Sequence, residues 1–494
     1  MLDPRVITKT VAPFVGLVLA VILGSQLVTD RTTAISWLAF GGLVVFCIYA
    51  GKSIWLLLPF MANLEIGLRL PGQPDSMLLG QMIVLGFCMI LFLMRKLPLG
   101  FEIKESEIWM LAISVTIVQA YLRNPVGLNI FGGSTVGGRP YFIFGLTVIT
   151  ALLLASLRVP VRELKLIIPL SIAGGLGNAL VALASVFSPT VAYYTGAAFN
   201  RTDETNYENF DQVVDTRQAG RNSALSKLGP NLALWVSIHI SPVRAILRPL
   251  YAILLLAALV AAMLGGFRSG LLIVVLTLMV GTFYRNGIAG VLAIGFVIAI
   301  ATVILAFVNL VSPLPPNVQR ALTFLPGTWE QRYKDDAEGS TDWRVEIWKE
   351  ALGSERWIRN KILGDGLGFT AADLKKAALL TNSWSGRGWD LHREQVLING
   401  DYHSVIVSTV RTSGYLGLII FFVASIRIAL MAHRLIRKWT NTPWMPVTML
   451  VGIPLIYGPF WIFLSATTFV QAASGLIMGA GMLRLLEKNL PAET

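Results

Sequence analysis

Apolar runs of about 20 residues recur from one end of the chain to the other, the length at which a helix crosses a hydrocarbon core roughly 30 Å thick. They predict spans near 11–28, 34–50, 53–64, 76–94, 107–121, 140–157, 164–187, 230–243, 249–265, 270–283, 289–311, 403–425, 444–464 and 467–486. The pattern is that of an all-α polytopic membrane protein with about 14 transmembrane helices. Two longer polar segments, near 188–229 and 312–402, interrupt it. The second, about 90 residues long, exceeds an ordinary connection and is rich in Trp and helix-like stretches, so it reads as a large, partly helical extramembrane loop domain. Within it, Thr341 or Ser340 is suited to cap a helix with Asp342 in its first turn, Trp343 and Ile347 on one face and Gly353 at its stop. The expected organisation is transmembrane helices over 1–190, the first extramembrane loop and central helices over 191–311, the loop domain over 312–402 and C-terminal helices over 403–494.

Composition narrows the class. Of 494 residues, 55% are hydrophobic and only 14% charged, against about 25% charged in soluble domains. That excludes an ordinary soluble enzyme and a disordered chain. A net charge of +12 would suggest nucleic acid in a soluble domain, but no basic tract with interleaved aromatics offers it a groove, and most Lys and Arg lie between apolar runs. There they orient the chain in the bilayer. With the N-terminus cytoplasmic, the inside loops hold Arg95, Lys96 and Lys104; Arg158, Arg162 and Lys165; Arg244 and Arg248; and Arg427, Arg434, Arg437 and Lys438. The short outside loops hold little more than Arg31, Arg69, Arg123, Arg139 and Arg268, so both termini are expected inside and both long segments outside. Arg5 and Lys9 precede the run at 11–28, which is too long for a signal-peptide core and is read as the first span. Cys47 and Cys88 lie inside apolar runs and build neither a disulfide framework nor a metal site.

The outer face collects the unusual residues. Arg217 and Arg221 form a basic pair in Arg217-Gln-Ala-Gly220-Arg221, ahead of Gly229-Pro230-Asn231; acidic neighbours such as Asp211 and Asp215 leave a solvated, ion-paired loop as the plain alternative. Arg268 stands in Gly265-Gly266-Phe267-Arg268-Ser269-Gly270 between two apolar runs, either snorkelling at a helix end or aiming its fork at phosphate oxygens. His403 lies where the long segment re-enters the membrane and, with an ordinary pKa near 6.5, suits proton transfer at neutral pH. His239 and His433 read as structural and His392 as a surface residue. Gly364-Asp-Gly366-Leu-Gly368 looks like a phosphate-cradling loop but lacks the strand and βαβ context of one. The adjacent Asp335 and Asp336 read as an exposed acidic loop rather than a metal site, and Gly475 with Gly479 as a helix-packing pair.

Taken in order, these segments resemble the O-antigen ligase and O-antigen polymerase superfamily of bacterial membrane glycosyltransferases. Arg217-Gln-Ala-Gly220 followed by Pro230-Asn231 is similar to an Arg-x-x-Gly then Pro-Asn stretch, and Arg268-Ser269-Gly270 to a second arginine motif. Arg344-Val-Glu-Ile-Trp348, then Gly364-Asp-Gly366, resembles an Arg–Trp helix followed by a glycine turn; His403, then Gly414-Tyr-Leu-Gly417, resembles a terminal His and Gly-x-x-Gly segment. The match runs over about 215–425. It departs at Ser404, where an Asn often follows the His, at Thr412-Ser413, where an acid is common, and in the stretched Arg to Pro-Asn spacing, which leaves open whether Arg217 or Arg221 is the functional one.

The resemblance implies a donor glycan on undecaprenyl diphosphate, transferred with inversion to an acceptor hydroxyl at the periplasmic face of the bacterial inner membrane. Diphosphate is a good leaving group, so arginines can stabilise its charge in place of a metal, and neither metal nor cofactor is expected. The implied roles are His403 as catalytic base, Arg217, Arg221 and Arg268 on the diphosphate, and Arg344 in support. Trp343, Trp348, Trp384 and Trp389 are either sugar-stacking surfaces or, the preferred reading, the core of the loop domain. The acceptor is a lipid-linked chain, as in polymerisation of exopolysaccharide or O-antigen, or lipid A-core, as in ligation, with polysaccharide-assembly proteins as candidate partners. A lipid-linked oligosaccharide flippase is the alternative of another class, and a metal-dependent oligosaccharyltransferase a third.

Overall fold

The computed structural model describes residues 31–64, 67–68, 74–127, 137–187, 199–200, 223–370, 393, 396–400 and 402–491. The elements in chain order are α1 (Arg31–Ala50), a 3-10 turn (Gly51–Leu56), α2 (Leu57–Leu64), β1 (Gly67–Leu68), α3 (Ser76–Leu93), α4 (Glu105–Arg123), α5 (Arg139–Ser156), α6 (Ile167–Phe187) and β2 (Phe199–Asn200). They continue with α7 (Ser223–His239), α8 (Pro249–Leu264), α9 (Arg268–Val311), α10 (Pro316–Leu322), α11 (Gln331–Gly353), α12 (Val405–Lys438), α13 (Met445–Leu464) and α14 (Phe469–Asn489). Among the described residues, 8 helices are long and apolar enough to cross a membrane, so the chain is a helical membrane protein. The run at 11–28 lies outside the described residues.

The chain packs as two units, Met1–Leu97 with Pro169–Glu204, and Pro98–Ile168 with Thr205–Thr494. In the first, the chain turns back at Gly51, whose φ of 54 breaks the helix. Trp37, Phe40 and Leu43 pack on Leu79, while a Cβ on the neighbouring Gly80 would lie 3.1 Å from Met61 Cβ; one straight helix would hold Phe40 and Met61 about 31 Å apart. The runs at 34–50 and 53–64 are therefore two arms, the second opening with Ile54, Trp55 and Leu56 buried in the 3-10 turn. Asp75 caps α3 by accepting the Leu78 amide at 2.7 Å. Asn63 of α2 donates to Ser171 Oγ of α6 at 3.1 Å, and β1 pairs antiparallel with β2.

In the second unit, α7 packs on α8 and α9, while α12 lies along α13, α4 and α14. The 44 residues of α9 carry one non-helical residue, Gly287, at φ 66 and ψ −160. A straight helix of that length would run about 66 Å, yet Asn317 Nδ2 donates at 3.2 Å to the Leu264 carbonyl, four residues before α9 begins. A Cβ on Gly290 would also lie 2.8 Å from Thr282 Cγ2, two turns upstream. The helix therefore folds back at Gly287, in a backbone region essentially closed to other residues. Its arms correspond to the runs at 270–283 and 289–311. The first arm is packed; the second exposes Ile288, Leu292, Phe296, Val303 and Phe307, as suits a lipid-facing helix.

Three expectations change. α12 does not stop near 425 but continues to Lys438, so Arg427, Arg434, Arg437 and Lys438 ride on a helix rather than in a loop. Arg437 and Lys438 suit the negative end of its dipole, and Arg427 bonds the Glu105 carboxylate at the start of α4. In the loop segment α11 starts at Gln331, about ten residues before the expected cap, and ends at Gly353 as expected. The stretch read as an exposed acidic loop is a solvated first half of that helix, with Asp335 accepting from Gln331 one turn back at 2.8 Å. α7 also starts earlier than the run at 230–243, carries Pro230 inside it and ends at His239.

The last helix closes the unit at the end opposite the loop segment. Arg484 is 1% exposed and donates through Nε to the buried Glu107 at 2.9 Å, while its Nη1 bonds Glu487. Lys488 donates to the Ser156 carbonyl at 3.0 Å and Asn489 to the Leu157 carbonyl at 3.0 Å, covering acceptors left open at the end of α5. Breaking a buried pair strands its partner charge at a cost of about 3–5 kcal/mol. Arg484→Met is accordingly expected to lower the thermal midpoint in detergent sharply, and the double variant Arg484→Met/Glu107→Leu to recover much of the loss. A single variant with an unchanged midpoint would show that the pair carries no stability.

Candidate functional site

The site is built around α11. Its apolar face, with Ile347 and Ala351, joins Val396, Leu397, Tyr402, Val407 and Val410 in one core, and Trp343, Trp348 and Trp357 pack against it. Trp348 Nε1 donates to the Tyr402 carbonyl at 2.7 Å, and Trp357 Nε1 to Glu350 at 3.0 Å. Both indoles thus serve packing in the loop segment. Trp384 and Trp389 lie outside the described residues. Arg393 ties the same helix down through Glu346 at 3.2 Å and Glu350 at 2.8 Å.

Beside α11 a cavity of about 630 Å³ is lined by Arg268, the turn Thr323–Gly327, Trp329, Lys334, Glu338, Thr341 and Asp342. Arg268 opens α9 immediately after the Gly265-Gly266 turn. The glycines around it admit protein rather than ligand: a Cβ on Gly265 would lie 2.8 Å from Ser226 Cα, and one on Gly270 2.6 Å from Ser226 Oγ. The first turn of α7 therefore seats the loop that presents Arg268. Asp342, on the cavity wall, is followed by Trp343, whose ring lies 5.9 Å from the His403 ring at 42°. One helix thus borders both Arg268 and His403, which are far apart in sequence.

His403 sits at φ 46, in the left-handed region uncommon for a side-chain-bearing residue. Its neighbours hold it there. The Tyr402 carbonyl takes the Trp348 indole, and Ser404 caps α12 by accepting the Val407 amide at 3.4 Å. Arg344 is half-buried on α11 next to Trp343. Arg217 and Arg221 lie outside the described residues, as does His392. His239 ends α7, and His433 Nδ1 bonds the Tyr284 hydroxyl at 2.6 Å.

Below His403, α12 breaks at Gly414, at φ 73 and ψ −178. The carbonyls ending its first arm are capped by the loop after α11: the Asp365 amide donates to Arg411 O at 2.6 Å and the Gly366 amide to Thr412 O at 2.9 Å. The amides opening its second arm donate back, Tyr415 to Lys361 O at 2.8 Å and Leu416 to Ile362 O at 3.2 Å. The loop is held in turn from α4 and α5: Arg123 Nη2 donates to Leu363 O at 2.9 Å, Gln119 Nε2 to the same oxygen at 2.7 Å, and the Leu367 amide to the Tyr141 hydroxyl at 2.7 Å. The Asp365 carboxylate accepts the Arg359 and Asn360 amides at 2.8 and 3.0 Å. The amides of Gly364, Asp365, Gly366 and Leu367 are therefore all engaged by protein acceptors, so Gly364-Asp-Gly366-Leu-Gly368 is a structural clasp rather than a phosphate cradle.

Arg411 was not singled out by sequence reasoning. It is 9% exposed, donates through Nη1 to Gly366 O at 3.1 Å and stacks 4.2 Å from the Phe369 ring centroid. The signal was present, an arginine inside an apolar run two helical turns after His403. It was masked by the stronger cue of the outward-facing arginines. Burial pushes the nearby Tyr402 phenol above its ordinary range, and the Arg411 guanidinium pulls it partly back.

No family model matches the chain, and no curated protein shows significant similarity to it.

The two glycine motifs make one sharp test. A Cβ on Gly414 would lie 2.0 Å from Ile362 O and one on Gly364 2.4 Å from the Ser413 amide nitrogen, backbone contacts that cannot swing aside. Gly414→Ala is expected to destabilise by more than about 2 kcal/mol, from backbone strain plus the clash. Gly353→Ala, where an added Cβ meets nothing within 4 Å, is expected to be neutral or slightly stabilising. Thermal midpoints of the two purified variants check this; equal midpoints would refute the clasp.

Proposed function

We propose that this protein is a metal-independent, inverting glycosyltransferase of the inner membrane. It moves an oligosaccharide from undecaprenyl diphosphate to an acceptor sugar hydroxyl at the periplasmic face, in polymerisation of exopolysaccharide or O-antigen. In this reading both termini are cytoplasmic and the segment 312–402 covers the site from the periplasm. The observation that carries it is the placement of α11, with Asp342 on the wall of the Arg268 cavity and the next residue, Trp343, against His403.

The chemistry asks for two groups. The acceptor oxygen attacks the anomeric carbon as the bond from that carbon to the phosphate oxygen breaks, and undecaprenyl diphosphate leaves with the electron pair. A guanidinium stays charged throughout and forks onto two phosphate oxygens, so Arg268 stabilises the charge that grows on the leaving group. His403 takes the proton from the acceptor hydroxyl as the new bond forms and returns it to solvent. Arg217 and Arg221 add further positive charge for the second phosphate, and Arg344 supports the helix next to His403. Attack opposite the leaving group inverts the anomeric centre.

The decisive experiment supplies the purified protein with a defined undecaprenyl-diphosphate oligosaccharide. A ladder of chain lengths is the expected product. Single additions to lipid A-core would make the enzyme a ligase, and passage across vesicles without new glycosidic bonds would make it a flippase. His403→Ala is expected to lower kcat by about 10²–10⁴-fold, the range of a lost general base, in a protein that inserts and folds normally. Arg268→Ala should be similarly poor, and Arg268→Lys should fail to restore it because a point charge does not replace the fork. Full activity after exhaustive chelation is a further requirement, and catalysis abolished by EDTA would favour a metal-dependent oligosaccharyltransferase.

A further inference from the structure

Among the described residues of the second unit, two arginines are almost wholly buried, and they differ in company. Arg484 is surrounded by Glu107, Glu487 and Glu102. Among the described residues, Arg411 contacts no carboxylate; its neighbours include the Gly366 carbonyl, the Phe369 ring, the Tyr402 phenol and the backbone of Gly400. A Cβ on Gly400 would lie 3.0 Å from Arg411 Nε. The guanidinium therefore fills the space between the clasp loop and Gly400, three residues before His403.

An arginine is a costly filler for such a place. A Leu or Met would pack there without desolvating a charge. What the guanidinium adds is direction: one edge donates to Gly366 O, one face lies on Phe369, and the remaining edge meets the chain just before Tyr402. Tyr402 is 1% exposed and its carbonyl is fixed by Trp348, so the approach to His403 is gripped from α11 on one side and from Arg411 on the other. His403 holds its left-handed backbone between these grips.

We infer that Arg411 is a positioning residue, holding Gly400 and Tyr402 against the clasp loop so that the His403 imidazole stays aimed at the acceptor. This takes His403 as the proton acceptor proposed above. A displaced base costs rate rather than donor affinity, because a misplacement of an ångström lowers the rate by up to roughly a hundredfold. Arg411→Met is therefore expected to lower kcat by at least about tenfold while KM for the lipid-linked donor stays within about twofold. Because the two residues act through one group, adding Arg411→Met to His403→Ala should lower the residual rate no further. Phe369→Leu, which removes one contact of the guanidinium and leaves the charge in place, is expected to act in the same direction and serves if Arg411→Met does not fold.

A second readout needs no glycan. Carbethoxylation of His403 by diethyl pyrocarbonate, followed by mass spectrometry, should be at least about threefold faster in Arg411→Met, as local opening around Tyr402 frees the ring. His433, bonded to Tyr284 far along α12, should react at an unchanged rate. An unchanged kcat, an additive loss in the double variant, or unaltered His403 reactivity would each overturn the inference. A wild-type protein that joins no glycan would sink the proposed function instead, and the carbethoxylation rates would still decide the place of Arg411.

Discussion

Much of the second unit depends on one backbone-to-backbone contact, between the loop 361–366 and the break in α12 at Gly414. A helix broken in mid-course leaves acceptors on one side and donors on the other, and in an apolar surrounding each open group costs several kcal/mol. Here one loop settles both sets, giving two amides to Arg411 and Thr412 and taking two from Tyr415 and Leu416. The exchange requires backbone to touch backbone, which is why glycines face each other at 364 and 414. The same contact ties the segment 312–402 to α12, which Ser404 caps, so hydrogen bonds several residues away help to set the position of His403.

Charge is used in two distinct ways within this unit. Around Arg484, Glu107 and Glu487 it is neutralised locally, and the network fastens α14 to the beginning of α4 and the end of α5. Around the cavity, charges of both signs share one wall: Arg268 and Lys334 line it with Glu338 and Asp342, beside Trp329 and Phe324. Mixed charge with aromatic edges suits a ligand with anionic and hydroxyl-rich parts. The first set fastens helices, and the second lines the cavity on which the proposed chemistry rests.

The hydrophobic pattern reports the helices well because burial in lipid and burial in protein both demand apolar runs. It located the two arms of α9 on either side of Gly287, where the backbone leaves the helical region. It failed at 403–425, where the arginines at 427, 434, 437 and 438 ended the apolar run without ending the helix. It failed again before Ser340, since a helix solvated on most sides has no stripe to read. For the site, residue chemistry pointed to Arg268 and His403, and the structure borders both with α11. Arg411 escaped notice because its meaning lies in what surrounds it. The partnership between the glycine motifs was equally hidden, since sequence shows two turns and not that they touch.

The fastening at the last helix also fixes a schedule for biosynthesis. Glu107 enters the nascent chain 377 residues before Arg484, the cation that neutralises it. At ribosomal speeds of 5–20 residues per second that interval is roughly 20 to 75 seconds. Throughout it the end of α5 also lacks Lys488 and Asn489, the side chains that cover its carbonyls. Helices α4 and α5 therefore wait in the membrane as a half-finished pair, open to insertion machinery or a chaperone, until α14 arrives and locks them.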